Sequence, residues 1–154
     1  MKIELGLMTW KDHLSFSNTP DGRHIFCHIR KRFLVSTPEE LVRQLMIQYL
    51  VHEANYASGI ISLEKSISVN GMSRRFDIAV YDSQGNVSIL IECKAPTISL
   101  SQKTFDQVAA YNLEVKAPFL VITNGLHTYC AQIDFEERSY LMLSELPINT
   151  KSEG

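Results

Sequence analysis

The dipeptide Asn70-Gly71 restricts this chain more than any other feature. It separates two runs of mixed apolar and polar residues, "IISLEKSISV" before it and "MSRRFDIAVY" after it. A two-residue hairpin loop needs positive φ at both central positions, which Asn and Gly tolerate at little cost. A second turn, around Ser83–Asn86 with Gly85, leads into "VSILIEC". Residues 59–96 therefore read as strand, turn, strand, turn, strand. Such a meander is not stable alone, because its apolar faces need covering elements.

Two helices supply that cover. In "STPEELVRQLMIQYLVHEA", Thr37 is placed as N-cap, Pro38 at the first helical position and Glu40 three residues after the cap, closing a capping box. Leu41, Leu45 and Tyr49, joined by Val42, Met46 and Leu50, repeat at helical spacing. "TISLSQKTFDQVAAYNLEV" reads as a second helix, with Ser99 and Gln102 as its capping box, and is followed by the strands "PFLVITNG" and, last, "LHTYCAQID". Within residues 1–36, "HIFCHIRKRFLVS" holds one or two short strands. The order predicts an α/β domain around a mixed sheet. The expected organisation is an N-terminal extension over 1–36 packed on a core over 37–145, then a C-terminal tail over 146–154.

Composition narrows the class. With 154 residues and 45% hydrophobic content, one core forms without staples. No apolar run approaches the roughly 18 residues of a membrane span, and the N-terminus lacks the long apolar stretch of a signal peptide, so a cytoplasmic protein without a membrane partner is expected. A net charge of −2 excludes coating nucleic acid by bulk charge. Cys27, Cys93 and Cys130 show no CxxC spacing and are expected to be reduced, packed thiols.

The hairpin registers carry the chemistry. A turn centred between Gln84 and Gly85 sets Ile78 opposite Ile91, Val80 opposite Ile89 and Phe76 opposite Cys93 as one apolar layer, and places Asp77 across from Glu92 on the other face, with Lys94 and Arg75. A turn centred between Asn70 and Gly71 sets Glu64 opposite Asp77. Three carboxylates on adjacent strands repel, so the row needs a cation or a retained proton. Mg²⁺, held by one or two carboxylates plus water, suits it, and Lys94 beside a scissile phosphate would complete a site for metal-assisted phosphodiester hydrolysis.

Asp77 followed across a hairpin by Glu92-Cys93-Lys94 resembles the PD-(D/E)xK nuclease signature. "RFDIAVYDSQGNVSILIECKAP" with "FDQVAAYN" and "LVITNG" is similar to the N-terminal nuclease domain of type I restriction enzyme R subunits and related stand-alone proteins, and "IRKRFLVSTPEELVRQ" resembles its opening stretch. The likeness spans roughly residues 28–133. It implies a restriction-endonuclease-like fold, a mixed central sheet flanked by helices, and a Mg²⁺- or Mn²⁺-dependent DNA endonuclease. Asp77, Glu92 and the Cys93 backbone carbonyl would be the metal ligands and Lys94 the catalytic lysine. Gln107 and Tyr111 match the family's Q-x-x-x-Y element and would steady the site or the DNA, with Glu64 as a further supporting carboxylate. Phe76 stands where the nominal proline would be. R subunits continue into helicase motor domains, whereas this chain stops at Gly154, so an ATP-driven role is not carried over.

Other residues carry weaker signals. Arg30, Lys31, Arg32, Arg74 and Arg75 are candidate DNA contacts, since phosphates need positive charge near the metal. Glu40 has a structural explanation in the cap. His24 and His28 lack a third zinc ligand, and His13, His52 and His127 form no pattern. Without a Gly-rich phosphate loop, no nucleotide cofactor is expected. DNA is the expected partner, with a partner protein or a homodimer left open, and the competing reading is a catalytically silent DNA-binding or assembly module of the same fold.

Overall fold

A computed structural model describes residues 2–150. A short 3-10 helix, Leu7–His13, precedes β1 (Phe16–Thr19), β2 (Gly22–Cys27) and β3 (Arg32–Val35). Helix α1 (Pro38–His52) and a second 3-10 turn, Ser58–Ile60, lead into β4 (Ile61–Val69), β5 (Met72–Tyr81) and β6 (Val87–Cys93). Helix α2 (Gln102–Val115), β7 (Phe119–Thr123), β8 (Thr128–Asp134) and β9 (Ser139–Leu143) complete the chain. The predicted α/β class is present: β4 to β9 form one mixed sheet in sequence order. Among the described residues only β6 and β7 pair in parallel, joined by the α2 crossover.

The two helices cover opposite faces of this sheet. Val42, Leu45, Met46 and Leu50 of α1 share a core with Ile78, Val80, Ile89, Ile91 and Val121. Phe105 and Val108 of α2 pack with Ala79, Leu90, Leu120, Ile122 and Ala131. Asn70 and Gly71 adopt φ of 53° and 76°, as the hairpin required. All three cysteines are free and buried.

Several elements differ from expectation. Residues 24–36 hold two strands, as expected, but a further strand, β1, precedes them, and the three form their own antiparallel sheet in the order β1-β2-β3. Ile25 of that sheet, with Ile3, Leu7 and Leu14, belongs to the same core as α1. Strand β8 is not the last: β9 pairs with it from Cys130↔Leu143 to Asp134↔Ser139. Near the C-terminus Leu146 is buried, and the Asn149 amide donates to the Ala54 carbonyl at 2.8 Å. The cap of α2 is Ser101 rather than Ser99; its Oγ accepts from the Thr104 amide at 3.2 Å, while Gln102 Nε2 donates to Asp106 and Tyr140. On α1 the cap is half of the predicted box. Thr37 Oγ1 accepts from the Glu40 amide at 3.0 Å, but the Thr37 amide donates to Val35 O and the Glu40 carboxylate turns to Arg43.

The most informative departure lies at Asp77. The β4–β5 register is as predicted, including Leu63↔Ile78; the β5–β6 register is as predicted at Ile78↔Ile91 and Val80↔Ile89 but shifts by one between Val80 and Tyr81, where Tyr81 pairs with Val87 instead of Ser88. Yet Phe76 packs with α2 while Ile78 and Val80 face α1, so the expected Phe76/Cys93 layer does not form. The β5–β6 ladder stops at Ile78↔Ile91, and the β4–β5 ladder skips the Glu64/Asp77 pair while Lys65↔Phe76 resumes it. Glu64 has φ of 53°, a left-handed conformation that costs a non-glycine residue about 1–3 kcal/mol. Side-chain alternation shifts by one at this level, and the two skipped positions turn toward the N-terminus of α1.

Candidate active site

Asp77, Glu92 and Lys94 are assembled by the ends of β5 and β6. Where the ladder lapses, Asp77 Oδ2 accepts from the Cys93 amide at 2.7 Å, so a side chain replaces the missing strand bond. That bond fixes the Asp77 carboxylate beside Glu92. Lys94 continues β6 along β7, its amide donating to the Thr123 carbonyl at 2.8 Å. Its half-buried side chain makes no ion pair within 4.0 Å among the described residues.

The carboxyl pair is electrostatically strained. Burial first, then the neighbouring Asp77 carboxylate, push the Glu92 pKa from 4.5 up to about 9; Lys94 works in the opposite direction. Burial pushes the Cys93 thiol up as well, so its sulfur is core packing.

A cleft of ≈ 440 Å³ opens beside this corner, lined by Thr37, Pro38, Glu39, Glu40, Arg43, Glu64, Asp77 and Ala95; Asp77 reaches it, whereas Glu92 and Lys94 are not among its lining residues. Glu39 is the member that sequence reasoning missed. Burial raises its pKa, and the Asp77 charge adds to the rise while Lys94 and Arg43 oppose it. Glu39 and Glu40 both stand in the first turn of α1, and only the rotation of the helix decides which one faces the strands.

Glu64 lies in the same cleft but not in a carboxylate row. Its carboxylate binds Arg30, with Arg43 Nη1 at 3.7 Å and Arg75 Nη1 at 3.9 Å. The Arg30 hydrogen bond lowers its pKa. The expected cation and the expected retained proton are thus divided: arginines neutralise Glu64 and a proton is favoured on Glu92. Among the described residues no three His, Cys, Asp or Glu side chains are grouped to hold a metal. Two carboxylates and a main-chain carbonyl remain, and that set suits Mg²⁺, which keeps several waters.

The remaining candidates are dispersed. Gln107 Nε2 donates to Tyr111 Oη at 3.5 Å, as their shared helix face predicts, and Arg74 stacks 5.4 Å over the Tyr111 ring. Neither Gln107 nor Tyr111 lines the cleft. Arg32 is exposed on β3, and Lys31 borders a separate pocket with His13, His28 and His52. His13 and His52 do form a cluster, with Trp10 stacked on His52 at 5.5 Å and His13 5.1 Å from His52.

The Glu92 shift has a measurable consequence. Below pH 4.5 both folded and unfolded chains hold the proton; between 4.5 and about 9 only the folded chain favours it, so stability falls as pH rises through that window. In EDTA the melting temperature should therefore fall from pH 5 to pH 8 with a steeper slope than that of Glu92→Gln. The substitution should raise stability at pH 8 by about 2 kcal/mol, roughly 4–8 °C for a domain of this size. Parallel slopes in thermal melts would contradict the burial of an ionisable Glu92.

Residues 38–147 match the family described as type I restriction enzyme R protein N terminus. No curated protein matches the chain. Among the described residues no helix is long and apolar enough to cross a membrane.

Proposed function

Because this chain belongs to the family of type I restriction enzyme R protein N-termini, we propose that it is a metal-dependent DNA endonuclease acting in restriction or DNA processing. The observation that carries this reading is the Asp77–Glu92 carboxyl pair, fixed by the Cys93 amide at 2.7 Å, with Lys94 beyond it making no ion pair among the described residues. A nuclease must bring negative charge together around a cation and keep a positive charge for the phosphate.

Asp77, Glu92 and the Cys93 carbonyl would hold Mg²⁺ or Mn²⁺, which when bound supplies polarisation of the phosphate and activation of the attacking water. As an ammonium, Lys94 orients that water by hydrogen bonding and stabilises charge on the phosphoryl oxygens; to act as the base it must first give a proton to solvent, and the neutral amine then takes the water's proton at Nζ. The Cys93 amide keeps Asp77 aimed at the site. Glu39 adds negative charge at the cleft mouth. Gln107, Tyr111 and the Arg74 stacked on Tyr111 offer contacts for a DNA strand outside the cleft. Lys31 and Arg32 are more distant candidates for the same strand, and a partner protein or second copy is compatible with the exposed surface.

Purified protein should convert supercoiled plasmid or single-stranded DNA to shorter products with Mg²⁺ or Mn²⁺, and not with EDTA. Metal should raise the melting temperature, and Asp77→Asn should remove that rise. Retained DNA binding without cleavage under any of these conditions would point to a silent DNA-binding module of the same fold.

A further inference from the structure

Glu64 is a carboxylate in an unusual place. It is an interior strand residue at φ 53°, its ladder pairing with Asp77 is lost, and its side chain is directed at arginines from three separate elements. Arg30 comes from the β2–β3 turn, Arg43 from α1 and Arg75 from β5. Arg43 also pairs with Glu40, whereas Arg30 and Arg75 pair with Glu64 alone among the described residues. Without Glu64, two positive charges would stand beside the cleft that Asp77 lines.

We propose that Arg30 and Arg75, backed by the fixed charge of Arg43, form a phosphate-binding site, and that the Glu64 carboxylate occupies it as an internal stand-in until a phosphate displaces it. The guanidinium fork binds carboxylate and phosphate with the same planar geometry, which makes the exchange chemically direct. Both partners reach solvent and can meet an incoming group: the Arg30 side chain is 26% exposed and that of Arg75 65%. Glu64 itself is 33% exposed and can swing to solvent, where its charge is well hydrated. The left-handed backbone at Glu64 supports the same conclusion, because it brings the carboxylate to the arginines at a conformational cost.

A role for the N-terminal sheet follows. The family match begins at residue 38, yet Arg30 lies before it, in the turn that joins β2 to β3. The three-strand sheet, anchored through Ile25, thus delivers one side of the phosphate site. This assignment rests on the nucleic-acid reading above but does not require cleavage.

The test is binding of a short fluorescent DNA duplex by the full chain in EDTA, followed by polarisation. Glu64→Gly removes the carboxylate and relieves the positive φ, so it preserves the fold. It should tighten binding about three- to thirtyfold and steepen the salt dependence by about one ion. Glu64→Gln should act in the same direction. Arg30→Ala should weaken binding, and Glu64→Gly should bring no gain when Arg30 and Arg75 are both alanine. In a second arm, millimolar inorganic phosphate should raise the melting temperature of Glu64→Gly more than that of the parent. A response to phosphate alone, with DNA affinity unchanged, assigns the site to a small phosphate; no gain in either arm overturns the proposal. If the parent cuts no DNA but Glu64→Gly gains affinity, the nuclease assignment fails and this site stands.

Discussion

Lys94→Ala is expected to slow Mg²⁺-dependent DNA cleavage by about 10²–10⁴-fold, the range for losing a positioned proton-transfer group. The melting temperature should stay within about 2 °C of the parent, because half-exposed side chains without partners contribute at most about 0.5 kcal/mol. The two halves of this expectation have one cause. Lys94 is held by its backbone, through the amide bond to Thr123, while its ammonium has no ion pair within 4.0 Å among the described residues. Its charge acts instead on Glu92 and Glu39, both at the carboxyl corner. Lys94→Arg separates its roles, since arginine keeps the positive charge but does not lose a proton at any working pH. Substantial activity in Lys94→Arg would assign the lysine to charge stabilisation; a loss as deep as that of alanine would assign it to proton transfer or water orientation. Plasmid cleavage at parental rate by Lys94→Ala would remove Lys94 from the reaction altogether.

The hairpin that builds this corner was legible because its determinants are local. Asn70-Gly71 admits one tight turn, and alternation over Ile78, Val80, Ile89 and Ile91 admits one register for each pair of strands, so Asp77 and Glu92 were brought to neighbouring strand ends by number alone. The interruption was not legible, because a glutamate carries no signature of positive φ. Glu64 adopts it through contacts with Arg30, 34 residues away, and alternation alone then places Phe76 on the wrong face. Some missed elements did carry signals. Thr19-Pro20-Asp21-Gly22 has turn chemistry that marks the β1–β2 hairpin. Asp134, whose Oδ1 accepts from the Glu136 and Glu137 amides, marks the turn into β9. Glu39 shows the limit of capping rules. They identify where α1 begins, but the carboxylate that faces Asp77 is chosen by packing of Val42, Leu45 and Met46 on the sheet.

Arg43→Ala is expected to cost about 3–5 kcal/mol, the largest stability loss of any polar substitution near the cleft. Its side chain is 7% exposed and that of Glu40 11%, so the pair is buried at the foot of the site. Burial works against the Arg43 charge, but the hydrogen bonds and charge of Glu40, with Glu64 and Asp77 behind, more than offset it and raise its pKa. Nε donates to Glu40 Oε2 at 2.8 Å and Nη2 donates to Oε1, a bidentate fork that lysine does not reproduce. Removing the guanidinium leaves Glu40 with only the Gln44 amide at 3.1 Å and no counter-charge in a poorly solvated pocket. For a chain of this size the melting temperature should drop by about 6–20 °C. Arg43→Lys should fall between, and the double substitution Arg43→Met with Glu40→Leu should recover most of the loss, because it removes the unpaired charge along with its partner. If Arg43→Ala alone melts like the parent, the Glu40–Arg43 pair is solvated and not the rigid floor of the cleft. If the double variant recovers stability but not DNA binding, the pair is retained for its charge beside Asp77 rather than for the fold.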